Sequence, residues 1–156
     1  MGQTLYLPDA PALAAVAAEQ RFVCLSVLLA ARDGAAVLRF EQRQGAWVTF
    51  ARRDAAWVLY PRVAEAADIP RGLKDLTSAP GVRGWASRLF RAGRFCLRLG
   101  EEEVACRVSA DGPWAYMLSL RPTRDAAAAA RELLGDYWEL PGDRGPPPSD
   151  GAPAEE

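Results

Sequence analysis

Between Arg71 and Arg98 the chain carries Arg71, Lys74, Arg83, Arg88, Arg91, Arg94 and Arg98 against one carboxylate, Asp75. This concentration of positive charge sits in a sequence whose formal net charge is −1. Guanidinium groups present a flat fork of N–H donors and stay charged at any pH a protein meets, so a cluster of them suits phosphate or carboxylate. On a helix beginning near Val82, Arg88 and Arg91 are three apart and share a face, with Arg94 close behind. Arg83, Arg88, Arg91 and Arg94 are therefore the candidate contacts for an anionic ligand, a lipid headgroup or nucleic acid. The competing reading is a solvated face neutralised by Glu101, Glu102 and Glu103, which follow directly, and by the acidic C-terminal stretch. Without interleaved exposed aromatics, the cluster is a weak signal for nucleic acid.

Catalytic chemistry has little to work with. There is no His among the 156 residues, which removes the commonest general base, metal ligand and pH switch together. Ser26, Ser87, Ser109 and Ser119 consequently lack an activating imidazole, and a Ser–Lys arrangement around Lys74, the sole lysine, has no supporting pattern. No Walker A, GxGxxG or HExxH pattern occurs. Adjacent strand residues point to opposite faces, so Glu101, Glu102 and Glu103 read as a tight turn after Gly100 better than as a metal site. Cys24, Cys96 and Cys106 share no CxxC spacing and sit in apolar runs, which fits reduced, core-filling thiols. The expectation is a non-enzymatic protein without a cofactor or metal.

Recognition by aromatic residues is the other chemistry on offer. Trp47, Trp57, Trp85, Trp114 and Trp138 are many for this length, and most such residues fill cores. Trp57 with Tyr60 is the favoured exception, because it closes a run of strands just before the chain leaves the sheet. If that strand is an edge, its backbone could accept a partner strand. The expected partner is another protein, as for an adaptor or assembly chaperone, and a second copy of the chain is a further candidate.

The elements that must position these residues follow from the apolar periodicity. Phe95, Leu97 and Leu99 alternate, as do Val104, Cys106 and Val108, and PWAYMLSLRP completes three strands over 94–122. Beyond Pro122, Ala126, Ala130, Leu133, Leu134 and Tyr137 fall on one face of a helix that covers them. Earlier, Asp9 caps a helix running to about Gln20 with Pro11 in its first turn. The continuous apolar run Phe22 to Ala30 reads as a central strand covered on both faces. Turns at Asp33–Gly34, Gln44–Gly45 and 52–55 make this the first strand of a four-strand meander. Pro70, Gly72, Pro80, Gly81 and Gly84 punctuate a loop-rich connection, with a helix over 82–92 that Gly93 ends.

The expected fold is therefore α+β: an antiparallel sheet of six or seven strands, a helical crossover, and helices near both ends. Residues 1–140 form one domain, and the Pro-, Gly- and acid-rich 141–156 cannot offset the entropy of ordering. The closing helix after three strands resembles the end of a pleckstrin-homology domain, which implies a split barrel as the alternative. The helix–sheet–helix–sheet–helix order is also similar to the small secretion chaperones. No apolar run reaches the roughly 20 residues of a spanning helix, and MGQTLYLPDAP lacks the make-up of a secretory signal. A cytoplasmic setting is expected.

Overall fold

The structure is a computed structural model that describes residues 3–64, 69–77, 92–112 and 114–135. Its centre is a helix, α2 (Ala18–Arg32), preceded by a short α1 (Ala10–Ala14). Asp9 caps α1 as expected, accepting from the Ala12 N–H, with Pro11 in the first turn. The strand expected over Phe22 to Ala30 is instead the body of α2. Val23, Cys24, Val27, Leu28 and Ala30 are each fully buried. An element wrapped on every side shows no amphipathic stripe, and an apolar run of that kind reads equally as a buried strand. Gly34, expected in a hairpin, lies just past the C-terminus of α2 with φ +79°, the left-handed conformation that ends helices.

Seven strands form one mixed sheet. They are β1 (Thr4–Tyr6), β2 (Val37–Arg43), β3 (Ala46–Arg53), β4 (Ala56–Ala64), β5 (Ala92–Leu99), β6 (Glu102–Ala110) and β7 (Ala115–Pro122). The spatial order is β1-β5-β6-β7-β2-β3-β4, antiparallel except for β1 against β5. The meander thus has three strands, and β2 joins it to the second group by pairing with β7. β1 and β4 are the free margins, so the split barrel is not formed: the sheet stays open.

Two further helices complete the described fold, α3 (Ile69–Thr77) and α4 (Ala126–Leu134). The loop-rich passage expected from Pro70 is in fact α3. Pro70 falls in its first turn, where a missing N–H costs nothing, and Ile69, Leu73 and Leu76 form its buried stripe. Because β4 is one margin and β5 lies next to the other, the connection containing α3 crosses the full width of the sheet. Gly93, expected to end a helix, lies inside β5. A Cβ there would sit 2.6 Å from the Thr77 Cβ, so its bareness is what lets α3 lie close against β5.

One core unites these parts: α2 packs on α3 and α4, and all the described helices share the sheet face bearing Leu38, Phe40, Leu97, Val104, Val108 and Leu118. Each such side chain removed from water contributes about 1.5–3 kcal/mol. Cys24 and Cys106 belong to this core. The expected helix over 82–92, the residues from 136 onward and the expected tail lie outside the described residues. None of the described helices is long and apolar enough to cross a membrane.

Candidate functional site: an arginine-lined groove on the helix-free face

Strand alternation sends the polar residues of β5, β6 and β7 to the face opposite the helices. Cross-strand register then decides which meet. Arg94 stands directly opposite Arg107, Cys96 opposite Ala105, and Arg98 opposite Glu103. From β6 to β7, Arg107 stands opposite Ser119 and Ala105 opposite Arg121. Arg94, Arg107 and Arg121 thus come from three strands to one patch, all exposed. Together with Gln3, Thr4 and Ser119 they line a groove of about 460 Å³, a size typical of small-molecule sites.

Its electrostatics are one-sided. Among the lining residues, three guanidinium groups meet one carboxylate, Glu103, which lies 3.9 Å from Arg98. Arg94, Arg107 and Arg121 have no ion pair among the described residues. Like charges directly opposite on neighbouring strands are destabilising by a few tenths of a kcal/mol or more, and the Arg94–Arg107 pair is such a case. The Cys96 thiol at the same groove is pushed up to about 11 by burial and the nearby Glu103 carboxylate, so it is a poor nucleophile near neutral pH.

The neighbouring Glu102 has structural work. Glu102 Oε1 accepts from the Thr123 hydroxyl at 2.7 Å and from the Asp125 N–H at 3.2 Å, tying β6 to the start of α4. The Thr123 hydroxyl also accepts from the Glu103 N–H at 2.9 Å. Glu102 is therefore a helix anchor more than a screen for the arginines.

A second charged group lies farther along the same face. Arg39 is 1% exposed, with its Nε donating to Glu41 at 3.0 Å and its guanidinium also paired with Asp111. Burial lowers the Arg39 pKa, but the bonds to Asp111 and Glu41 outweigh that and leave it raised. Arg43 shares Glu41 at 2.8 Å and lies 5.0 Å above the Phe50 ring. This network is paired and closed to a ligand.

The sequence-based candidates divide as follows. Arg94 is in the groove, whereas Arg83, Arg88 and Arg91 lie outside the described residues. Arg71 and Lys74 ride on α3, on the helix-bearing face, so they do not join Arg94 and Arg98 in one patch. β4 is an edge strand. Trp57 and Tyr60 nevertheless project to opposite faces. Tyr60 is 3% exposed and donates its hydroxyl proton to Asp33 at 3.0 Å, so its side chain is a core group and not a surface anchor. Trp57 is half-buried, with the Arg52 guanidinium 5.9 Å above its ring. Trp47 is buried against Tyr116, and Trp114, at the β6–β7 turn, is 62% exposed.

Arg107 and Arg121 were missed because they are far apart in sequence. Both occupy polar positions of strands legible from alternation, and aligning those strands would have brought them to Arg94. No protein-family model and no curated protein matches the chain.

Proposed function

We propose that this chain is a non-enzymatic binding module whose helix-free sheet face takes an anionic ligand through Arg94, Arg107 and Arg121. The observation that carries this reading is the Arg94–Arg107 pair, held directly opposite with no ion-pair partner for either among the described residues. A fold that sustains such repulsion gains from an anion placed between the two groups. The ligand bears phosphate or carboxylate, and Ser119, Thr4 and Gln3 offer neutral hydrogen bonds around it. A binding role is preferred over catalysis because the groove's thiol is held protonated and no imidazole exists to activate a hydroxyl. Three free cysteines favour a reducing, cytoplasmic setting.

Calorimetric titration with inorganic pyrophosphate tests this. Binding should weaken about tenfold in Arg107→Ala and in Arg121→Ala, since a hydrogen bond to a charged group is worth about 1.5–3 kcal/mol. It should also fall between low and physiological salt. No heat at low salt, or an affinity in both variants equal to that of the wild type, overturns the reading.

A second reading, an adaptor or chaperone-like protein that binds another protein by strand addition, is favoured by β4 having no strand on its outer edge among the described residues. Its side-chain contact is Trp57; Tyr60 takes no part, its side chain being buried and its backbone paired with Thr49 of β3.

A further inference from the structure

We infer that the anion this groove takes is the backbone of a single-stranded nucleic acid, with phosphates on Arg94, Arg107 and Arg121 and one base stacked on Tyr6. The inference rests on the anion-binding reading of the same groove and names the class of its ligand. It begins with the register of β1. Thr4 stands opposite Cys96 and Tyr6 opposite Arg98, and alternate residues of a strand share a face. Thr4 lines the groove, so Tyr6 stands on the same helix-free face, one step farther along β1. Tyr6 is 60% exposed. The arginine cluster has no interleaved exposed aromatic in linear sequence; the parallel pairing of β1 with β5 supplies one.

An exposed ring beside guanidinium groups without ion pairs is the combination that single strands use. Every base has a π-face that a tyrosine ring can take, while a positively charged groove tracks the phosphates. A duplex keeps its base faces inside the stack and offers phosphate alone. Glu103, the lone carboxylate among the lining residues, adds an acceptor for the hydroxyl and amino donors of sugar and base. An inorganic anion has no such donors and is only repelled by it.

Spacing separates a strand from a single nucleotide. Neighbouring β-strands stand about 4.8 Å apart, and two residues advance about 6.7 Å. Because β1, β5, β6 and β7 are consecutive neighbours, the Arg94–Arg107 pair and Arg121 each lie about 15 Å from Tyr6 on that grid. Side chains on strands rise roughly perpendicular to the sheet, so their tips keep that separation. One nucleotide joins phosphate to base through a single sugar and falls short of it; a few in succession cover it.

The test is fluorescence anisotropy at low salt with a labelled single-stranded oligonucleotide of about five residues and mixed sequence, run beside the pyrophosphate titration. The oligonucleotide should bind and be displaced by pyrophosphate. Arg107→Ala should weaken both ligands and lower the slope of log affinity against log salt for the oligonucleotide by about 0.7. Tyr6→Ala should lower the ratio of oligonucleotide to pyrophosphate affinity about tenfold, and Tyr6→Phe should restore it. A variant that merely misfolds loses both ligands together and leaves the ratio where it was. Pyrophosphate binding without oligonucleotide binding overturns the ligand class and leaves the anion reading standing; binding of neither sinks both. A ratio indifferent to Tyr6→Ala overturns the stacking site. A complementary duplex or a mononucleotide held as tightly as the oligonucleotide overturns the single-strand assignment.

Discussion

Arg107 carries opposite costs in the free and liganded protein. Facing Arg94 across the ladder, it destabilises the empty sheet, and an anion between the two reverses the sign. Arg107→Ala should therefore stabilise the free protein slightly, by about 0.5 kcal/mol, while removing stabilisation by pyrophosphate; thermal melts with and without the anion measure both. The buried Arg39 behaves differently. Arg39→Ala takes an ion-pair partner from the buried Glu41, which Arg43 also holds, and should cost about 3 kcal/mol in a denaturant titration. Tyr60 supplies a pH test. Burial, then the Asp33 carboxylate, hold its phenol well above the usual range. A raised folded pKa means this stabilisation is whole below the unfolded value near ~10 and is lost as pH rises beyond it. Tyr60→Phe should thus be less stable than wild type near neutral pH by about 1 kcal/mol and should show a flatter alkaline decline, followed by circular dichroism between neutral pH and pH ~12.

At the scale of elements, local chemistry accounts for what could be read from sequence and what could not. β5, β6, β7 and α4 were legible because one face is buried and the other wet, which imprints a period of two or of 3.6 on the residues. α2 was not, since burial on all sides erases that imprint; the signal that remained was the row of strong helix formers at its ends, Ala18, Glu19 and Gln20, then Ala30, Ala31 and Arg32. β1 is three residues long and is held by Gln3, whose N–H donates to Leu76 and whose side chain donates to Asp75, long-range bonds that no pattern announces. The groove was half legible: Arg94 stood out in a charge run, while Arg107 and Arg121 depend on register. Two turn and packing positions give direct tests. Ala55 sits at φ 67°, where a side chain costs about 1–2 kcal/mol, so Ala55→Gly should raise stability by about 1 kcal/mol in urea unfolding. Gly93→Ala should do the reverse, by about 1–3 kcal/mol, because Thr77 occupies the space its methyl needs.

Taken whole, the molecule segregates its tasks by face. Helices and most of the large apolar side chains occupy one side of the sheet, and the other carries the charge: a paired network around Arg39 on β2 and, where β5, β6 and β7 run side by side, three arginines without an ion pair among the described residues. A net charge of −1 conceals this division, because acids elsewhere in the sequence offset the patch in the total. Binding governed by that patch should depend on ionic strength far more than the total charge suggests. The most direct measurement is an NMR titration of the arginine Nε–Hε signals with inorganic pyrophosphate at low salt. The account predicts that Arg94, Arg107 and Arg121 shift together along one saturating curve while Arg39 stays still. Signals that remain fixed, or that drift in all arginines alike without saturating, would contradict it.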